Sequence, residues 1–135
     1  MQNYNTIILE KKGGIGYLTL NRPEVFNAIS QELIDEMRDA LARVDADEEI
    51  RVLIITGAGK GFQAGADIRE LSVMRPMDIL RWNEGIVRNN AAVEDLRQPV
   101  IAAINGVAMG GGLELAISCQ FRIVEEGVKL GLPEV

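Results

Sequence analysis

The stretch that decides the fold is residues 99–119, PVIAAINGVAMGGGLELAISC. It begins as an apolar run rich in β-branched residues, breaks at Gly106, passes three consecutive glycines and then resumes with helical spacing. This order predicts a buried strand, a tight glycine turn and a helix that begins near residues 110–112.

Glu114 is the charged residue of this stretch, and we expect it in the first turn of the helix, where the positive end of the helix dipole stabilises a carboxylate. The free N–H groups there can also receive an oxyanion, and glycines let a ligand approach the backbone. A donor cluster and a buried carboxylate within four residues are the parts of an acid/base active site.

Two other interpretations of residues 99–119 stay open at this point. The run could span a membrane, with Gly106-x-x-x-Gly110 as a helix-dimer motif, although adjacent glycines and Glu114 oppose this. It could also be a buried strand and helix whose glycines serve only close packing and whose glutamate only complements the helix dipole.

Composition narrows the classes of function. The 135 residues suffice for one hydrophobic core, and a net charge of −6 argues against a nucleic-acid surface. The absence of histidine excludes Ser-His-Asp and Cys-His catalysis within this chain, so acid/base chemistry falls to carboxylates, with Lys and Tyr as the alternatives. Cys119 is the single cysteine and residues 1–12 lack the apolar segment of a signal peptide, so we expect a cytoplasmic protein without a disulfide framework.

The rest of the chain alternates strand and helix patterns. Ser30 is a candidate N-cap for a helix with an apolar stripe at Ile34, Met37, Leu41 and Val44. A strand-strand-helix order recurs along the chain, which predicts an α/β fold. The expected elements are strands at 6–10 and 15–20 joined as a hairpin by Lys12-Gly13-Gly14, a helix at 31–46, a strand at 52–56, helices near Asp67 and at 76–97, and a strand at 121–124.

Residues 57–71, GAGKGFQAGADIREL, are a glycine-rich loop that leads into a helix near Asp67. A Walker loop fails at two positions, and Gly59-x-Gly61-x-x-Ala64 fits only the loose dinucleotide pattern because the helix begins too late. The remaining interpretations are a second set of backbone donors at residues 64–68, or a surface turn in which Asp67 is only an N-cap. We interpret the acidic residues 45–49 as a solvated face rather than a metal site.

Four segments together resemble the crotonase superfamily, and within it most closely the enoyl-CoA hydratases. They are NRPEVFNAIS at residues 21–30, GFQAGADIREL at 61–71, PVIAAINGVAMGGGLELA at 99–116 and GLPEV at 131–135. The resemblance implies an α/β spiral of repeated ββα units with two roughly perpendicular sheets. Members of the family are about twice as long, so we expect residues 1–135 to be an N-terminal core without the C-terminal helical part.

The resemblance also implies a function: addition of water across the 2,3 double bond of a 2-enoyl-CoA thioester, with coenzyme A as part of the substrate and no metal or separate cofactor. It implies a homotrimer or a dimer of trimers, with neither nucleic acid nor membrane as a partner. An enoyl-CoA isomerase, another acyl-CoA enzyme of the superfamily and a non-catalytic acyl-CoA-binding subunit remain alternatives.

The family pattern assigns roles residue by residue. Glu114 matches the carboxylate that activates water and Glu134 the one that donates a proton to C2 of the substrate, and both together favour a hydratase over an isomerase. The N–H groups of Ala66 and Gly111 match the oxyanion hole. The positions that match the coenzyme A and substrate contacts are Val25, Ala28, Ala64, Ala66, Asp67, Ile68, Gly110 and Gly111.

Overall fold

A computed structural model describes residues 3–134 and contains eight strands and four α-helices in that range. Most of their bounds lie within two residues of the expected ones. In chain order the elements are β1 Ile7–Lys12, β2 Ile15–Leu20, a 3-10 turn Pro23–Val25, α1 Gln31–Ala46, β3 Val52–Gly57, β4 Gly61–Gln63, α2 Ile68–Leu71, α3 Pro76–Asp95, β5 Val100–Ile104, β6 Val107–Met109, α4 Gly111–Ser118, β7 Phe121–Val124 and β8 Leu130–Gly131.

The strands form two sheets. The larger has the order β1-β2-β3-β5-β7, with β1 and β2 antiparallel across the glycine turn and every other pair parallel. The smaller has the order β4-β6-β8 and is entirely parallel. From β3 onward, successive strands go alternately to the larger and the smaller sheet, which confirms the predicted spiral of ββα units.

Helix α1 covers the larger sheet with the apolar stripe that its sequence predicts. The Ser30 side chain accepts a hydrogen bond from the Leu33 N–H at 3.1 Å, which confirms the predicted N-cap. All four residues of the predicted stripe are buried, and Met37, Leu41 and Val44 share one core with apolar side chains of the larger sheet. Burial of this stripe against the sheet therefore fixes the position of α1.

Residues 99–119 form β5, β6 and α4, with α4 starting at Gly111 as expected. The membrane-span interpretation of this stretch is therefore wrong, because the run divides into three short elements. Elsewhere in residues 3–134, too, no helix combines the length and apolar character that a membrane crossing requires.

The three strands of the smaller sheet correct our sequence-based expectations. Residues 61–63 were expected in a loop and residues 107–109 in a turn, yet both are strands, and β8 was not expected at all. Strands of two or three residues show no alternation that a sequence can reveal. The backbones that lead into β4 and β6 must approach closely for these strands to pair. A Cβ on Gly106, directly before β6, would overlap the carbonyl of Lys60, directly before β4.

Candidate active site

One cavity of about 380 Å³ brings the two predicted carboxylates together. Glu114 and Glu134 are 20 positions apart in the sequence, and both line it. Ala66 and Gly111, the predicted oxyanion donors, line it as well. The other lining residues are Ile29, Ala64, Gly65, Ile68, Trp82, Asn83, Ile86, Met109, Gly110 and Pro133.

The N-terminus of α4 forms one wall of the cavity. Gly110 is the N-cap residue, with φ 52° and ψ −123°, and its N–H donates to the carbonyl of Gly131 in β8 at 2.9 Å. A Cβ on Gly112 would overlap the carbonyl of Gln63, so this glycine lets α4 lie directly against β4. The glycines of the triplet therefore set both the backbone turn and the close packing that place the helix N-terminus at the cavity.

The two carboxylates lie beside neighbouring glycines of this turn. An ideal Cβ on Gly110 would be 2.6 Å from Oε1 of Glu134, and one on Gly111 would be 3.9 Å from Oε2 of Glu114. Parallel pairing of β6 with β8 places Gly131 opposite Met109, and this brings the segment that carries Glu134 to the start of α4. Both carboxylates therefore face the same helix N-terminus, where a ligand in the cavity meets them together.

The expectation that Glu114 is buried is wrong. Its side chain is exposed, as is that of Glu134, because the cavity that they line is open to solvent. Glu114 lies on the face of α4 that borders this cavity and a second groove beside α3. Its position rather than its burial therefore marks it as a functional candidate.

The second wall of the cavity is the segment of residues 64–67, which pairs with residues 26–29. Ile29 donates its N–H to the carbonyl of Gly65 at 2.7 Å and accepts at its own carbonyl from the N–H of Asp67 at 3.0 Å. In this parallel bridge the N–H of Ala66 points to the other side. No described residue accepts a hydrogen bond from the N–H of Ala66 or of Gly111, so two backbone donors are free at the cavity.

Asp67 caps helix α2, as expected, and also forms an ion pair that the sequence analysis missed. Its Oδ1 accepts from the Glu70 N–H at 3.3 Å, and its Oδ2 accepts from Nη2 of Arg22 at 2.9 Å. Burial raises the pKa of the Asp67 carboxyl, but the hydrogen bonds and charge of Arg22 and the Glu70 N–H outweigh it and hold the pKa below its usual value. The Asp67 carboxylate is therefore ionised and held in one place.

The structure separates the predicted substrate contacts into two sets. Ala64, Ile68 and Gly110 line the cavity together with the oxyanion donors. Val25 lies in the 3-10 turn, and Ala28 is buried with its carbonyl bonded to Arg22; neither they nor Asp67 line the cavity. Their contact with coenzyme A stays a prediction.

Helix α3 supplies the residues of the site that the sequence analysis did not single out for function. Trp82 is 8% exposed, packs with Ile29, Ile34 and Ile86 as a core anchor, and also lines the cavity. Asn83, its neighbour, adds a polar group there. Ile86 belongs to the same apolar cluster as Trp82 and also lines the cavity, and no sequence signal distinguishes its core face from its cavity face.

The fold rules out one alternative interpretation of the sequence. Gly61 belongs to strand β4 and not to the strand-to-helix turn that a dinucleotide fingerprint requires, so that alternative fails. The part of the chain from residue 3 to residue 134 contains no group of three or more His, Cys, Asp or Glu side chains that could hold a metal ion.

Comparison with known proteins places this chain in a known family. A family model described as "Enoyl-CoA hydratase/isomerase" matches residues 10–135. The chain is 42% identical over 134 residues to the short-chain-enoyl-CoA hydratase of Clostridium acetobutylicum, covering 97% of this chain and 51% of that protein. It is 43% identical over 136 residues to the crotonyl-CoA hydratase of Syntrophomonas wolfei, covering 98% of this chain and 51% of that protein.

A solved structure supports the same family assignment. The crystal structure of an enoyl-CoA hydratase from Bacillus anthracis matches with a TM-score of 0.94 and 39% identity, over 96% of this chain and 51% of that one. The chain spans about half the length of the curated relatives that it matches. From the family match, the sequence identity and the shared fold we conclude that the chain belongs to the enoyl-CoA hydratase/isomerase family, the crotonase superfamily.

Proposed function

We propose that this protein is an enoyl-CoA hydratase, which adds water across the 2,3 double bond of a 2-enoyl-CoA thioester. One observation carries the proposal: Glu114, Glu134 and the free N–H groups of Ala66 and Gly111 line the same cavity. The family match and the names of the similar proteins support it.

In the proposed reaction, the N–H groups of Ala66 and Gly111 donate to the carbonyl oxygen of the thioester. Negative charge builds on this oxygen when a nucleophile attacks C3 and the double-bond electrons move towards the carbonyl. Fixed N–H donors stabilise that charge more than the ground-state carbonyl, and the loss of one such donor typically costs on the order of a hundredfold or more in rate.

The two carboxylates supply the proton transfers. Glu114 accepts a proton from water as the water oxygen bonds to C3, and Glu134 delivers a proton to C2 as the enolate collapses to the thioester. Both side chains lie at the N-terminus of α4 beside the proposed oxyanion site, so one bound substrate can meet them together. A positioned acid or base contributes roughly a hundredfold to ten-thousandfold.

The walls of the cavity suit a thioester with an apolar acyl chain. Ile29, Ile68, Trp82, Ile86 and Met109 line it beside the polar groups. We assign Ala64, Ala66, Asp67 and Ile68 to the backbone that borders the coenzyme A part, and Val25 and Ala28 to the segment that lines its channel. No metal or separate cofactor takes part in the proposed steps.

The resemblance of the motifs supports assembly as a homotrimer or a dimer of trimers. The single cysteine and the lack of an apolar segment in residues 1–12 support a cytoplasmic location. Light scattering on the full-length gene product tests the assembly: a mass of three or six chains supports it, and a monomer contradicts it.

The test of the function follows the enone absorbance of crotonyl-CoA mixed with the full-length gene product. The parent should consume the enone and form a product heavier by one water, whereas E114Q and E134Q should each lose at least about a hundredfold in kcat. E48Q removes an exposed carboxylate that lies outside the cavity and is the matched control.

Other results would redirect the proposal. If the parent binds crotonyl-CoA and leaves it unchanged, the protein is not a hydratase and the binding-subunit alternative gains support. If it moves the double bond of a 3-enoyl-CoA instead, and only E134Q abolishes this, the isomerase alternative replaces the hydratase.

A further inference from the structure

We propose that Arg22 is a positioning residue that holds the N–H of Ala66 in place for the oxyanion of the reaction. The inference rests on the proposed function, because it takes the Ala66 N–H to be an oxyanion donor. It adds a residue outside the cavity to the groups on which the reaction depends.

A short ladder of backbone hydrogen bonds between residues 26–29 and 64–67 orients the N–H of Ala66. Three backbone hydrogen bonds join residues 26–29 to residues 64–67: Ala64 N–H to the Phe26 carbonyl at 3.0 Å, and the two bonds that Ile29 makes to either side of Ala66. The direction of the Ala66 N–H is therefore set by how these two segments lie against each other. Any slip between them turns this donor away from the cavity.

The Arg22 guanidinium joins both sides of this ladder. Its Nη1 donates to the carbonyl of Ala28 at 2.6 Å, and its Nη2 donates to Oδ2 of Asp67 at 2.9 Å. Ala28 precedes the ladder residue Ile29, and Asp67 directly follows Ala66. One planar group thus holds the residues on both sides of the bridge at a fixed separation.

The ion pair of Arg22 with Asp67 is shielded from solvent, and Arg22 is itself held in place by hydrogen bonds. The side chains of Arg22 and Asp67 are only 19% and 14% exposed. The Arg22 N–H donates to Oδ1 of Asn27 at 2.8 Å, and the fully buried Asn27 donates through Nδ2 to the carbonyls of Ala58, Gly61 and Phe62. Arg22 therefore connects the ladder, through Asn27, to the start of β4 in the smaller sheet.

The geometry requires arginine in particular. The two acceptors, a carbonyl of one segment and a carboxylate of the other, are reached by two different nitrogens of the same guanidinium. A lysine at position 22 places one nitrogen, which cannot fill both positions of a planar fork. R22K should therefore keep the positive charge and most of the fold while it loses the fixed separation.

The experiment measures how strongly the bound thioester carbonyl is polarised, independently of turnover. The probe is the coenzyme A thioester of 4-dimethylaminocinnamic acid, whose absorbance moves to longer wavelength when N–H donors polarise its carbonyl. The full-length gene product is compared with R22K and with R22M/D67N, which leaves no unpaired charge. R38K and R38M are matched controls, because Arg38 forms a half-exposed ion pair with Asp35 outside the cavity.

If Arg22 positions the donor, R22K should bind the probe with nearly parental affinity but give less than about half of the parental red shift, because a displaced oxyanion donor polarises the carbonyl less. Its kcat for crotonyl-CoA should fall on the order of tenfold with KM within about twofold, since the lost contact acts mainly in the transition state. R22M/D67N should lose more of both the red shift and kcat, and R38K and R38M should keep both at the parental level.

A parental red shift and kcat in folded R22K and R22M/D67N would overturn the inference. So would failure of both variants to fold by circular dichroism, because Arg22 would then be a general requirement of the fold. A parent that shows the red shift without hydrating crotonyl-CoA contradicts the hydratase proposal alone, and the variants still decide the role of Arg22. A parent that binds the probe without any red shift overturns both the oxyanion assignment and this inference.

Discussion

Replacement of Gly110 by alanine tests whether the carboxylate of Glu134 lies directly beside the N-terminus of α4. Gly110 has φ 52° and ψ −123°, a region that residues with a side chain almost never occupy. In addition, the new Cβ would lie 2.6 Å from Oε1 of Glu134. The substitution therefore combines backbone strain with a direct collision against the proposed proton donor.

The two effects have different magnitudes and different consequences. Backbone strain at such a position costs about 1–3 kcal/mol of stability. The collision is relieved only if Glu134 moves, because normal Cβ contacts begin near 3.4 Å and the gap is shorter. Displacement of a positioned acid costs roughly a hundredfold or more in rate. We therefore expect G110A to lose some stability and about two orders of magnitude in kcat.

The control for this prediction is G127A. Gly127 also has a positive φ, of 83°, but a Cβ there meets no atom within 4 Å. G127A should lose about 1–2 kcal/mol of stability in urea unfolding with parental hydration of crotonyl-CoA. A G110A protein that folds and keeps the parental kcat would refute our placement of Glu134, whereas equal loss of activity in both variants would show that strain alone is responsible.

Three further outcomes follow from the structure. Burial raises the pKa of the Cys119 thiol to about 12, so the folded parent at pH 8 should be modified by a thiol reagent no more than C119S, which has no thiol. The thiol's contribution to stability should be lost as the pH rises from about 8.5 towards 12. S30A should lower the free energy of unfolding by about 1 kcal/mol, because the N-cap bond to Leu33 is lost. The pKa of Asp67 is held low, so its contribution to stability is present above about pH 4 and is lost as the pH falls through the folded value. Urea midpoints over a pH series should show this loss in the parent and a smaller one in D67N.

Each of these outcomes can fail in a recognisable way. Modification of the folded parent above the C119S background would show that Cys119 is accessible. No change in the unfolding midpoint of S30A would mean that the cap is not formed in solution. The same acid dependence in D67N and the parent would show that Asp67 is not held ionised by Arg22.

The long elements could be predicted because their sequence periods extend over several turns. Helix α1 shows a four-residue apolar stripe after a serine cap, and both were found as expected. The start of α4 was also predictable, since the glycine triplet interrupts an apolar run at one place. In these segments the local sequence and the tertiary packing favour the same structure.

The smaller sheet could not be predicted from local sequence. Its strands β4, β6 and β8 have three, three and two residues, and each is paired with a strand from another turn of the spiral. Their hydrogen-bond partners are distant in the sequence, so no short window contains the cause of their conformation. Glycines stand in or directly beside each of these strands, and glycines also favour loops.

The candidate site depends on the same distant pairings. Glu134 reaches the α4 N-terminus because β8 pairs with β6, which neither segment indicates by itself. Only the resemblance of four motifs indicated that Glu114 and Glu134 belong to one site. Arg22 escaped notice because its acceptor Asp67 lies 45 residues away, although Arg22 stands within one of those motifs.

The most direct test of the central claim is a crystal structure of the full-length gene product with butyryl-CoA, a saturated thioester that cannot be hydrated. We predict that its carbonyl oxygen lies about 2.7–3.1 Å from the backbone nitrogens of both Ala66 and Gly111. The carboxylates of Glu114 and Glu134 should then lie beside C3 and C2. A thioester carbonyl that contacts neither nitrogen, or an acyl chain bound away from the two glutamates, would contradict the account.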